Sequence, residues 1–199
     1  SIHKIKSMTI YPILEGLYNV SKEKIFVYLD ENKKDLPGLN FNVRPFLIEV
    51  EDDLILIDCG FGARHTNKTY FIEKLNSYGF SEQQVTKILV SHLHKDHING
   101  LGTIENNNFT CYFPNAKIYI QEREMDYALQ AESPSYSKNF SEKLKSFHNI
   151  IYLKDDFGKI SNEITFEVVG GHVPFQQVFW IKENEETAFF GADNLPQLN

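Results

Sequence analysis

Cysteine is scarce in this chain: Cys59 and Cys111 are the two present among 199 residues. That is too few for a disulfide scaffold, so free thiols are expected. Long apolar runs are also lacking. No stretch of 18 or more apolar residues occurs, and a bilayer-spanning helix is therefore not expected. Positive charge is in short supply, with 20 Lys and Arg against 27 Asp and Glu for a formal charge of −7 and a pI near 5.5. This balance argues against a general affinity for nucleic acid or anionic membranes. Internal repeats and low-complexity tracts are missing as well. The opening segment Ser1 to Ser7 has no long apolar stretch of the secretory kind. A cytoplasmic location is expected, with a cleaved signal as the alternative left open by the missing initiator methionine. The length suits a single domain over residues 1–199 with a substantial core.

Several segments have strand character: Tyr11 to Val20, Ile25 to Leu29, Pro45 to Val50 and Leu54 to Ile57, the last two joined by the acidic turn Glu51-Asp52-Asp53. These N-terminal strands are expected to form a meander. Tyr70, Phe71, Leu75 and Tyr78 recur at helical spacing, which predicts a helix from Thr66 to Tyr78 with Gly79 as its stop and another starting near Ser81. Further on, the pattern predicts a strand at Lys117 to Ile120 and helices at Glu122 to Gln130 and Lys138 to Phe147, separated by a Ser-rich loop. Strands follow at Ile164 to Val169, Val178 to Ile181 and Thr187 to Phe190, the last two flanking a polar hairpin turn.

The most informative segment is Ser91-His92-Leu93-His94-Lys95-Asp96-His97, which follows the apolar run Ile88-Leu89-Val90. Read as the continuation of a strand, His92 and His94 project to the same side and can grip one ion together. A helix would place them about 200° apart. Asp96 and His97 follow where the strand should turn, free to face a second ion. Imidazole and carboxylate are donors that zinc, iron and manganese accept.

The spacing His92-x-His94-x-Asp96-His97 resembles the metal-binding signature of the metallo-β-lactamase superfamily. The remaining motifs of that pattern stand in the expected order: Gly170-Gly171-His172 after a strand, Gly191-Ala192-Asp193 after another, and upstream the apolar strand ending in Asp58-Cys59-Gly60. The resemblance implies an α+β fold, a four-layer αββα sandwich with the ligands at one edge, incomplete here at its C-terminus. It implies two divalent metal ions, zinc foremost, with iron or manganese as alternatives. One would be held by His92, His94, His172 and a bridging Asp193, the other by Asp96, His97 and Asp193. Asp58 would orient a ligating histidine. Binuclear members supply a further histidine well downstream of the bridging aspartate, whereas this chain reaches Asn199 six residues after Asp193. The second site is accordingly expected to be weak or vacant. His3, His65 and His148 fall outside the matched motifs and are expected not to bind metal.

The chemistry implied by the resemblance is hydrolysis of an ester, lactone, thioester or related bond of a small-molecule substrate by a metal-bound hydroxide, with Asp96 orienting the nucleophile and accepting its proton. An aspartate at 193 points to the lactonase, glyoxalase II and phosphodiesterase members. The run Val173-Pro174-Phe175-Gln176-Gln177 departs from lactonases, which place a glycine and a second histidine after theirs. Alternatives are a di-iron oxidoreductase, a phosphodiesterase or nuclease, and an inactive metal-binding relative. No nucleic-acid or membrane partner is expected. Met125 and the aromatic residues Tyr127, Tyr136, Phe140 and Phe147 read as a helix face packed on the sheet.

Overall fold

A computed structural model describes residues 7–29, 36–64 and 67–194. Six strands precede the first helix: β1 (Thr9–Pro12), β2 (Gly16–Val20), β3 (Phe26–Tyr28), β4 (Leu39–Val43), β5 (Phe46–Glu49) and β6 (Leu54–Ile57), then α1 (Tyr70–Ser77). Next come β7 (Lys87–Leu89), α2 (Lys95–Ile98), β8 (Gly102–Glu105), β9 (Asn108–Cys111), β10 (Lys117–Gln121), α3 (Glu122–Gln130) and α4 (Lys138–Leu144). The chain closes with β11 (Ile150–Leu153), β12 (Phe157–Lys159), β13 (Ile164–Val168), β14 (Gln177–Glu183) and β15 (Glu186–Phe190).

The principal sheet has the order β1-β5-β6-β7-β10-β11. Its first three strands are antiparallel, and β6, β7, β10 and β11 run parallel. Alternation within β6 shows why the sheet is buried on both faces. Leu54 and Leu56 join Phe71, Ile72 and Leu75 of α1, Met125 and Ala128 of α3, and Phe140 and Leu144 of α4 in one apolar cluster. Ile55 and Ile57 point the other way, into a second cluster with Phe166, Phe179 and Ile181 of the sheet β12-β13-β14-β15. The layers are therefore helices, principal sheet and second sheet, each large buried side chain contributing about 1.5–3 kcal/mol. On the outer face of the second sheet Trp180 packs on Phe189, which is 51% exposed. No helix lies over that pair among the described residues, so three of the four expected layers are in view.

Helix α1 illustrates local logic. The Thr69 side chain accepts the Ile72 N–H at 3.2 Å, capping the first turn, and Gly79 at φ +89 ends the helix. Phe71, Ile72 and Leu75 form its buried face.

Several boundaries differ from expectation. The helix starts at Tyr70, and Thr66 lies outside the described residues. The segment Tyr11 to Val20 is two strands in two sheets, because the chain bends between Pro12 and Gly16 to place buried Glu15 against the Phe61 loop. The N-terminal strands are not one meander: β2, β3 and β4 form a separate sheet in the order β3-β2-β4, closed by its own aromatic cluster of Tyr18, Phe26, Phe41 and Phe61. The segment after Ser81 is a single 3-10 turn. No helix is long and apolar enough to cross a membrane among the described residues.

Candidate metal centre

The parallel strands β6, β7 and β10 end along one edge, and an open α/β sheet presents its ligand-binding crevice there. Asp58 follows β6, the segment Ser91 to His97 follows β7, and the second sheet contributes His172 after β13 and Asp193 after β15. Strand β7 stops at Leu89, so His92 and His94 do not share a strand face as the alternation argument expected. Their directions are set by tertiary contacts instead. Asp96 and His97 stand on the single-turn helix α2, whose N-cap is His94.

Two groups of donor atoms come together, each with its atoms within 4.8 Å of one another: His92, His94 and His172, and His92, His97 and Asp193. His94 Nδ1 and His172 Nε2 stand 3.1 Å apart. Two nitrogens bound to one tetrahedral zinc would be about 3.4 Å apart. Asp193 reaches both sides, with Oδ2 at 3.4 Å from His172 Nε2 and Oδ1 at 3.5 Å from His97 Nε2. Asp96 meets the second group at His97, its Oδ2 at 3.7 Å from Nε2. His148 is exposed, lies against Phe147 and joins neither group. His3 and His65 lie outside the described residues.

The surrounding hydrogen bonds orient the rings. Asp58 Oδ2 accepts from His97 Nδ1 at 2.7 Å and from Ser91 Oγ at 2.7 Å, while Oδ1 accepts the Ser91 N–H at 2.8 Å. His97 Nε2 is thereby turned toward Asp193. Ser91 Oγ also stands 3.0 Å from His92 Nδ1, and the buried Nε2 of His92 has no partner among the described residues. That orphaned atom, with the convergence of nitrogen and carboxylate donors, fits a transition-metal ion.

Electrostatics separate the histidines. Burial pushes His92 well down and His94 to about 3, and neighbouring imidazoles act in the same direction. His97 moves up: burial alone would lower it, but the carboxylates of Asp58, Asp96 and Asp193 together hold it well above the usual range. Burial raises Asp96. Asp193 is also opposed by burial, yet His97 and its neighbours draw it down to about 2. Three carboxyl groups thus face one locus, and positive charge is what it calls for.

Three supports were not anticipated from sequence. Asn194 accepts the His172 N–H at 2.9 Å through Oδ1 and donates Nδ2 to the Gly170 carbonyl, tying the glycine turn to the residue next to Asp193. Gly171, at φ +98, lies so close that an added Cβ would stand 2.5 Å from Asn194 Oδ1. Glu15 accepts the N–H groups of Phe61, Gly62 and Ala63 at 2.7, 2.8 and 3.1 Å, shaping the loop beyond Asp58. Glu124 and Tyr136 hold the His92 to His94 segment. Only Asn194 had a local signal, its place beside Asp193.

The donors open on a cleft of about 750 Å³. The principal-sheet side supplies Asp96 and His97, and the small β2-β3-β4 sheet supplies Lys24, Phe26 and Phe41, with Arg44 just beyond it. Lys95 Nζ donates to the Lys24 carbonyl at 3.0 Å and stands 5.8 Å from the Phe26 ring centroid, fastening this wall to the metal motif. Ser91 and Cys59 are fully buried, so neither presents a nucleophile to the cleft.

Comparison with known proteins follows this geometry. A family model described as "Anti-Pycsar protein Apyc1" matches residues 39–198, leaving Lys24 and Phe26 outside the match. Among curated protein sequences none matches significantly. Solved structures share the fold. A "probable metal-dependent hydrolase" from Staphylococcus aureus has 19% identity and a TM-score of 0.73, over 96% of this chain and 74% of that one. AidC, a dizinc quorum-quenching lactonase in complex with a product, has 25% identity and a TM-score of 0.61, over 76% of this chain and 56% of its own. AiiA of B. thuringiensis, with N-decanoyl-L-homoserine bound at its active site, has 21% identity and a TM-score of 0.60, over 89% and 70%. This is the fold of the metallo-β-lactamase superfamily. The chain spans little more than half the length of AidC.

Proposed function

The chain belongs to the anti-Pycsar protein Apyc1 family, and on that premise we propose that it is a metal-dependent hydrolase of an ester, lactone, thioester or related bond. One observation carries the reading: His92, His94, His172, His97 and Asp193 bring their donor atoms together in two overlapping groups, at the side of a cleft sized for a small molecule. Divalent ions held there would supply Lewis acidity, polarising a carbonyl or phosphoryl oxygen and drawing the pKa of water from 15.7 to about 7.

The chain's own groups do the remaining work. His92, His94 and His172 would hold one ion and His97 and Asp96 would serve another, with Asp193 placed between the two groups. Asp58, by accepting from Nδ1, aims the His97 ring so that Nε2 is the nitrogen it would offer to an ion. Asp96 orients the attacking water and accepts its proton, a task suited to a carboxylate whose pKa burial has raised.

A second reading, phosphodiester hydrolysis, is favoured by one feature. Arg44 lines the cleft, and its buried Nε has no partner among the described residues. With Lys24 it gives the wall two cations, which would recognise an anionic group.

Metal analysis of the purified chain, combined with a panel of neutral ester, lactone, thioester and phosphodiester substrates, tests both readings. Bound transition metal, with hydrolysis lost in His94→Ala and kept in His148→Ala, is the expected result. A chain that binds no transition metal contradicts the proposal.

A further inference from the structure

We propose that Glu124 and Tyr136 are positioning residues of this centre: from α3 and the loop after it, they fix the backbone and ring of the His92-Leu93-His94 segment, and so set the affinity of the ion held with His172. The inference rests on the reading of that histidine trio as a metal site.

Because β7 stops at Leu89, no sheet ladder holds Leu93, whose N–H is nevertheless buried and needs an acceptor. Glu124 supplies it. Its Oε1 accepts the Leu93 N–H at 3.1 Å and the Tyr136 O–H at 3.0 Å. The peptide group that carries this N–H joins His92 to Leu93, directly before His94. Fixing that rigid plane restricts how both imidazoles leave the chain. Tyr136 acts on the ring itself, standing edge-on to His94 with centroids 4.6 Å apart and planes at 72°. Its backbone pairs with that of His94 in an isolated bridge, and the neighbouring Ser135 carbonyl accepts the Lys95 N–H at 2.9 Å.

Core packing does not account for a carboxyl group at position 124. It is 1% exposed, its Oε2 has no partner among the described residues, and Met125 and Ala128 of the same helix belong to an apolar cluster. Burying such a group is costly, and an apolar side chain would pack the site without that cost. Glu124 does not line the cleft either, which leaves its two hydrogen bonds as its purpose.

The same helix reaches the other histidine loop. Tyr127 meets Tyr136 with centroids 5.8 Å apart and Phe175 at 6.3 Å, and the Arg123 guanidinium stands 5.1 Å from the Phe175 ring. Phe175 is three residues beyond His172. One helix therefore contacts the segments that present His94 and His172, although it contributes no donor atom itself.

Zinc titration of the metal-free chain against a chromophoric chelator is the test. Glu124→Leu is expected to raise the dissociation constant of the tightest zinc by about 10–100-fold, the range found when the outer partners of metal-binding histidines are lost. Glu124→Gln, which retains an acceptor for Leu93, is expected to restore most of that affinity. Tyr136→Phe keeps the ring and loses the O–H, and should weaken zinc to an intermediate degree. Cobalt bound in place of zinc should show a shifted visible spectrum in Glu124→Leu and Tyr136→Phe. Leu144→Ala, a core truncation on α4, should leave that spectrum unchanged. If Glu124→Leu fails to fold, Tyr136→Phe and its spectrum decide the matter. Unaltered zinc affinity and cobalt spectra in the variants, beside a wild-type chain that binds zinc, would overturn the inference alone. A wild-type chain that binds no zinc overturns the metal-site reading beneath it.

Discussion

Asp58 Oδ2 lies 2.7 Å from His97 Nδ1, and the same oxygen accepts from Ser91 Oγ at 2.7 Å. One carboxylate thus joins the end of β6 to both ends of the segment Ser91 to His97. Asp58 adopts φ +56, a left-handed conformation uncommon for a non-glycine residue, to reach them.

Asp58→Ala is therefore expected to release His97 and to orphan the Ser91 N–H. Affinity for the ion on the His97 side should fall about 10–100-fold, and stability should drop by about 1–3 kcal/mol through the unpaired buried donor. Metal content after dialysis against limiting zinc, with a denaturant unfolding curve, measures both. Undiminished content would remove Asp58 from this role.

Asn194→Ala should weaken metal binding from the other loop. The side chain's two bonds to the turn Gly170 to His172 are lost, at a cost of about 1 kcal/mol each. The His172 ring should then become mobile. A broadened histidine resonance in proton NMR of the zinc-loaded chain is the expected sign, and a sharp, unshifted signal contradicts it.

Glu15 predicts a pH dependence of folding. Burial raises its carboxyl to about 7 despite the N–H donors of Phe61, Gly62 and Ala63, against an ordinary value of 4.5. Between those values the native state holds more protons than the unfolded chain, so this residue's contribution to stability is full below about 4.5 and is lost as pH rises through about 7. The total is about 3 kcal/mol at most. Unfolding curves from pH 5 to 8 should show the stability difference between Glu15→Gln and wild type moving in favour of the variant as pH rises. A constant offset between the two would refute the assignment. Glu124, also raised to about 7 by burial, should act with the same sign.

Arg44→Met separates the two substrate readings. If an anionic group is recognised at the Arg44 guanidinium, KM for a phosphodiester should rise about tenfold or more, because charged hydrogen bonds are worth about 1.5–3 kcal/mol. KM for a neutral ester should stay as it was. Equal effects on both would leave the cation without a selecting role.

The candidate donors were legible in the sequence because a metal would demand particular side chains and a short loop can present several of them. His92, His94, Asp96 and His97 share six positions, and His172 and Asp193 each follow a strand and a glycine. The direction of the donors was not legible: the strand ends at Leu89, and alternation no longer governs His92 and His94. What aims them comes from Glu124, a residue that on an amphipathic helix reads as solvent-facing, and from Tyr136, which reads as core. The helices Glu122 to Gln130 and Lys138 onward were visible in their periodicity. The hairpin β8-β9 has a local signal of its own in Asn106 and Asn107, at φ +49 and +65, the residue type its two-residue turn requires. Asp193 and the charge it carries could be placed only through a family likeness, since a lone aspartate after Gly191 is otherwise an ordinary turn residue.

The wall that bears Lys24 and Phe26 belongs to a sheet with its own aromatic core, pinned to the donor-bearing segment through Lys95. The cleft therefore takes one wall from a piece of the chain separate from the loops that carry the candidate donors. On the proposed reading, exchange of the β2-β3 hairpin would re-tailor what enters the cleft while the histidines stay in register.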